Sequence, residues 1–412
     1  MTSLAGRRRR NTLFALAAGL VAAVAAPTLV YVGANAITNS KAGKNALANA
    51  PLEQSFPQTP TAMLATVSDS NELMSVTVLV LAPDADESAA VYDQRGGSIV
   101  SVPINVDSGS GDQLLSLHDA YALGGKEELL VDLESAVNLT IDFSAVMKRD
   151  DAASFLTGLP SVQANLPTDV LGSDESVLFA KGPNTLTSAQ IAQILTSKSP
   201  TQHERLRQTN LDAMWSGIAS AIGSGRQGLT LSAASPTTFA EMATRLMSGS
   251  VASRGLVARS LESARNPESL DVEALDRPDT ILVFASIAPA EMSRPASGLT
   301  FRIEAPPGFD QQVRKTIGVL LSFGGNVVSV DLNSETKSET KLLIYDASVA
   351  AAEPKENSIF GTITVETPDI RLGSVDETIS LGTTYLRGVD VSAPDATSST
   401  TSTSVAPTET TG

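Results

Sequence analysis

Residues 75–82 read SVTVLVLA and residues 96–107 read GGSIVSVPINVD. The first run alternates and is rich in β-branched side chains, the signature of a sheet strand. In the second, 98–102 is another strand, and Pro103 ends it because proline has no N–H for the ladder. Residues 62–67 form a third strand ahead of both. Helical spacing follows over 114–122 and again over 127–137, where Leu129, Leu130, Leu133 and Val137 fall on one face. Gly124-Gly125 separates the two. Strands and helices thus alternate, which predicts an α/β protein.

Working outward, further helices are expected at 150–157, at 187–195 with Thr187 as N-cap, at 204–222 and at 239–247. Residues 280–287, TILVFASI, read as a buried strand. The stretch 289–297, PAEMSRPAS, is a break and the expected domain boundary. Beyond it a compact β-α-β unit runs through a strand at 300–304, a helix at 309–323 stopped by Gly324-Gly325, and a strand at 326–331. Strands at 341–345, 361–366 and 378–381 follow. From 391 to 412, twelve of 22 residues are Ser or Thr, the composition of a disordered tail, placed at 389–412.

Toward the N-terminus, Arg7–Arg10 close a basic tail over 1–12 and precede residues 13–37, 25 residues without a charge. As a helix this is roughly 37 Å, enough for a ~30 Å hydrocarbon core. The arginines hold that end in the cytoplasm, so the span is a transmembrane helix that exports the body. The rival reading is a cleavable signal peptide, with Ala34-Asn35-Ala36 as its small-x-small site. Residues 38–60 are a polar linker.

Charge and composition exclude much. Lys+Arg number 29 and Asp+Glu 45, and residues 1–37 hold four arginines and no acid. The exported part therefore carries 25 basic and 45 acidic residues, net −20. Such a field repels phosphate backbones, and no nucleic-acid partner is expected. Cysteine is absent, which removes disulfides, thiolate nucleophiles and Cys-based metal sites. Two histidines, His118 and His203, leave no multi-His metal site, and neither belongs to HExxH. No GxxxxGK[ST], GxGxxG or GxSxG is present. His203 reads as a solvated residue at a helix start and His118, beside Asp119, as a surface or capping residue. Asp84, Asp86 and Glu87 in a turn, and Asp150-Asp151 at a helix start, read as solvated acids. Lys198, Arg205 and Arg207 form the one basic cluster of the first exported domain, a candidate anion site.

Several of these stretches together resemble the LytR–CpsA–Psr (LCP) family of envelope glycopolymer ligases. The paired strands at 75–82 and 96–107 match its first strands. LSLHDAYALGGKEELLVDLESAVNLTIDF at 115–143, KGPNTLTSAQIAQIL at 181–195 and ERLRQTNLDAMWSGI at 204–218 match its later helices and strand. Residues 299–388 resemble the LytR C-terminal domain often attached to such proteins, through the strand at Phe301, the following helix, GGNVVSV, KLLIYD and DETISLGTTYL. The resemblance implies an α-β-α sandwich over 61–290 and a smaller α/β domain over 299–388. It implies transfer of a glycopolymer from a polyprenyl-pyrophosphate carrier to peptidoglycan, with arginines and an Asp-held Mg²⁺ gripping the pyrophosphate.

Position by position, that grip is depleted. The family's Arg and Asp fall at Ile104 and Asn105, and its later arginines at Thr196, Lys198 and Glu204; only Arg207-Gln208 matches. The Lys and Asn before Ala-Tyr fall near Leu117 and Asp119. Asp69 is the candidate metal ligand, at a one-residue offset. The expectation is a degenerate LCP-like module of the cell envelope with no catalytic residues and no cofactor. Arg205, Arg207, Lys198 and Gln208 are its candidate ligand-binding residues. Its expected partners are the membrane, through the N-terminal helix, and a wall polymer, a polyprenyl-linked glycan precursor or an envelope protein. The alternative is an active Mg²⁺-dependent glycopolymer phosphotransferase whose catalytic residues have moved. Direct transcriptional control is opposed by the export signal and the acidic charge.

Overall fold

The computed structural model describes residues 52–83, 96–108, 114–223, 235–294, 298–346, 349–350 and 358–391. The basic tail, the 13–37 span, most of the linker, the 84–95 turn with its acids, and the Ser/Thr-rich tail from 392 lie outside them. No helix among the described residues is long and apolar enough to cross a membrane.

The fold-deciding strands are β1 (Thr61–Val67), β2 (Leu73–Leu81) and β3 (Gly97–Val102). β1 pairs antiparallel with β2, and β2 antiparallel with β3. β4 (Phe143–Met147) adds parallel to β1 at one edge, and β7 (Val251–Gly255) parallel to β3 at the other. The order is therefore β7-β3-β2-β1-β4. β2 is buried along all nine residues because both faces of the sheet are covered. Met63, Ala65, Val76, Val78, Val100 and Val102 face one apolar cluster, and Ala62, Leu64, Leu79, Leu81 and Ile99 the other. The period-2 alternation of the strands thus feeds two cores. This is the three-layer α-β-α arrangement.

On the first face lie α1 (Leu117–Val137), through Leu117, Tyr121, Leu129, Leu133 and Val137, and α6 (Arg277–Ile287). Ser116 caps α1 in a capping box with Asp119, and Gly125, at φ 67° and ψ −146°, breaks it where the glycine pair predicted a separation. On the second face lie α3 (Ser188–Leu195), capped by Thr187 as expected, α4 (Glu204–Ile222) and α5 (Phe239–Ser248). α2 (Arg149–Phe155) precedes a hairpin of β5 (Val162–Leu166) and β6 (Gly182–Leu186), which alternation in VQANL and GPNTL did not suffice to predict. A short ribbon joins β8 (Ala258–Ser260) to β9 (Glu273–Leu275).

The second half folds as β10 (Thr300–Glu304), α7 (Asp310–Ser322), β11 (Asn326–Asp331), β12 (Thr340–Ile344), β13 (Ile363–Glu366), β14 (Glu377–Ser380) and α8 (Thr383–Gly388). Its sheet order is β11-β10-β14-β12-β13. The expected β-α-β unit is present, with β10 and β11 parallel.

One expectation fails. Residues 280–287 are not a strand but most of α6. Asp276 caps this helix by accepting from the Asp279 N–H at 3.0 Å, and Pro278 sits in its first turn. TILVFASI is apolar all round because α6 is covered all round: it packs on α1 on one side and on α7 and β11 on the other. Without an exposed face it shows no 3.6-residue period, and its β-branched content mimics a buried strand.

Candidate functional site

One cleft of about 820 Å³ opens at the ends of β1 and β2. Local chemistry fixes its rim. The β1–β2 turn closes through Ser68 N–H to the Glu72 carbonyl at 2.9 Å, and the Ser68 hydroxyl accepts from the Glu72 N–H at 3.1 Å. Tyr121 of α1 donates its hydroxyl to Asn71 Oδ1 at 3.2 Å and so pins the turn. Thr66 lies 2.6 Å from the Ser75 hydroxyl and donates to the Leu195 carbonyl at 2.8 Å, tying both strands to the end of α3.

The described residues bring Asp69 and Glu72 from the turn, His118 from α1, Arg149 from α2, Asp174 from the tip at 172–176, and Lys198 after α3 to this cleft. Arg149 Nε donates to Thr196 Oγ1 at 3.2 Å, and that hydroxyl donates to the Ala192 carbonyl at 2.8 Å. Lys198 Nζ lies 4.0 Å from the Glu204 carboxylate. Ser176, through its hydroxyl and N–H, holds Asp174 below the usual carboxylate range. Burial works to raise Asp119, but donors from Ser116 and His118 outweigh it and hold the group low. No hydroxyl is hydrogen-bonded to the His118 imidazole among the described residues; its contact is Asp119 at 3.6 Å, which is no nucleophile–base pair.

Of the sequence candidates, Lys198 and Asp69 share the cleft, whereas Arg205, Arg207 and Gln208 do not line it. Arg205 turns to the β8–β9 ribbon, donating from Nε to Glu273 at 2.9 Å and from Nη2 to the Ser260 hydroxyl at 3.2 Å. Arg207 is buried behind the cleft. It donates to both oxygens of the fully buried Glu204 at 3.0 Å and to the carbonyl of Met74, itself a cleft residue. Gln208 donates to Ser101 at 2.5 Å and to Asp212 at 3.0 Å. Burial pushes Asp212 up to about 6, against the opposing bonds from Gln208 and Ser101. His203 is the N-cap residue of α4, 77% exposed, in keeping with a solvated helix start.

Ile104, where the resemblance sets an arginine, is fully buried in the first core, and Asn105 points Nδ2 toward Asp271 at 3.4 Å. Asp69 offers one carboxylate, and among the described residues no group of three or more His, Cys, Asp or Glu side chains gathers to hold a metal. Sequence reasoning missed Arg149. The only local sign was a Lys148-Arg149 pair before a helix start, and its partner Thr196 is 47 residues away.

No protein-family model and no curated protein matches the sequence. Solved structures similar to it include LytR–CPS2A–psr proteins. TagT of B. subtilis matches at 14% identity over 55% of this chain and 88% of its own, with a TM-score of 0.39. TagV of B. subtilis matches at 12% over 65% and 98%, also at 0.39. The LytR–CPS2A–psr family protein YwtF (TagT), solved with bound octaprenyl pyrophosphate lipid, matches at 15% over 54% and 86%, at 0.35.

Proposed function

We propose that this chain is a membrane-anchored, extracytoplasmic envelope protein. In this reading its 61–290 module is LCP-like and binds a wall polymer, a lipid-linked precursor or an envelope partner without catalysing transfer. Residues 299–388 would form an attached LytR C-terminal-like module. The observation that carries the reading is the fate of the positions that the resemblance assigns to phosphate-gripping arginines. Ile104 is core; Thr196 is a hydroxyl; Glu204 is a buried carboxylate that occupies Arg207. A charge-assisted contact contributes roughly 1.5–3 kcal/mol. Three lost together remove on the order of 5 kcal/mol of leaving-group stabilisation, with departures from additivity.

The active-transferase alternative has one observation in its favour: Arg149 brings a guanidinium to Thr196. The deciding experiment incubates detergent-extracted protein with a polyprenyl-pyrophosphate-linked glycan, peptidoglycan and Mg²⁺. The expected result is retention of ligand with no polyprenyl phosphate released. Mg²⁺-dependent release that disappears in Arg149→Ala or Lys198→Ala establishes the alternative.

A further inference from the structure

We propose that the 820 Å³ cleft selects an uncharged, polyhydroxylated saccharide rather than a pyrophosphate; this rests on the binding role proposed above and specifies its ligand class. The volume falls in the ~300–1,000 Å³ range of small-molecule sites. Among the described residues two cations, Arg149 and Lys198, face three carboxylates, Asp69, Glu72 and Asp174. Lys198 is further drawn on by Glu204 at 4.0 Å. A dianionic linkage entering such a cleft meets more negative than positive charge, inside a body already at net −20. Desolvating it there is unfavourable.

The same walls suit sugar hydroxyls. Carboxylates accept from them, guanidinium and ammonium groups donate to them, and Ser68, Ser70, Ser173, Ser176 and Ser197 do both. Several of these groups are already oriented: Arg149 by Thr196, Ser176 by Asp174, and the Ser68 hydroxyl by Ser70 at 2.8 Å. Long apolar side chains are confined to Met74 and Leu178, and no Phe, Tyr or Trp lines the cleft among the described residues. Recognition here works through hydrogen bonds, and among the described residues the cleft offers a prenyl chain only those two long apolar side chains.

The test titrates the full-length protein in detergent with neutral oligosaccharides, β-linked N-acetylglucosamine tetramer and linear hexose tetramers, and separately with sodium pyrophosphate and a polyprenyl pyrophosphate. The expected result is binding of a neutral saccharide that changes little between about 50 and 300 mM salt. It should weaken about tenfold in Asp69→Ala and in Arg149→Ala, the scale of one charge-assisted hydrogen bond. Both side chains are exposed, so these variants keep the core intact. Salt-sensitive pyrophosphate binding that displaces the saccharide overturns the inference but leaves the non-catalytic reading standing. Turnover of the polyprenyl pyrophosphate overturns that reading instead. Failure of the folded protein to take any neutral saccharide in the panel overturns the inference by itself.

Discussion

Asp212 shows what a buried carboxyl does when its only support is neutral donors. Gln208 and Ser101 hydrogen-bond it, no cation among the described residues pairs with it, and burial lifts it to about 6 from 3.8. A folded-state pKa above the unfolded one means that the folded protein resists ionisation. The cost is absent below about pH 4, grows as pH rises to 6, and is fully present above it. Asp212→Asn keeps an acceptor for Gln208 and removes that cost. It is expected to stabilise the protein at pH 8 by about 1–3 kcal/mol and to have little effect at pH 4, read from thermal melts at both values. A residue-level reading of sequence could not find this group. ERLRQTNLDAMW shows an acid on a helix, and only the approach of β7, where Gly255 leaves no room for a side chain beside Asp212 Oδ2, shows that the acid is enclosed. The same limit governed the cationic candidates. Arg205, Arg207 and Lys198 are neighbours in sequence, but helix geometry sends Arg205 to Glu273, Arg207 beneath Met74, and leaves Lys198 at the cleft.

At the scale of elements, the legible parts were those whose signals are local. The cap at Thr187, alternation in β1 to β3 and the glycine stop after α7 lie within a few residues of what they specify. α6 was misread because its apolar surface answers to three partners at once, α1, α7 and β11. The polar hairpin of β5 and β6 was missed because its apolar face is covered by α4, distant in sequence, which crosses it at Gly217. A Cβ on that glycine would stand 2.6 Å from the Gln163 carbonyl and 2.9 Å from Val162 Cγ1. Backbone cannot yield as a side-chain tip can, so Gly217→Ala must lift α4 off β5. The expected loss is about 1–3 kcal/mol, the range for overpacking a filled core, even though alanine is the better helix former. Chemical denaturation measures it. A variant as stable as the parent would mean that α4 and β5 meet more loosely than this spacing implies.

For the whole molecule, the two five-stranded sheets share one continuous apolar cluster, running from Val78 and Leu133 through Phe284 to Val313 and Ile379. The described residues from Gln54 onward accordingly fall in one compact unit. The domain boundary proposed near 289–297 lies between two sheets whose buried apolar residues belong to the same cluster. Asp276 is the polar counterpart of that shared core. Its buried carboxylate caps α6, bonds Arg259 of β8 at 2.8 Å and bonds Arg314 of α7 at 2.6 Å, so one side chain holds both halves. Asp276→Asn preserves an acceptor for the Asp279 N–H while deleting the charge that both guanidinium groups face. With hydrogen bonds to a charged group contributing about 1.5–3 kcal/mol each, the variant should lose roughly 2–4 kcal/mol. The loss should also be uneven. Calorimetry of the parent is expected to give one transition across both sheets, and of Asp276→Asn a lower-melting transition for 299–388 ahead of the rest. A single, barely shifted transition in the variant would show that apolar packing of α6 on α7 and β11 couples the halves without help from the ion pairs.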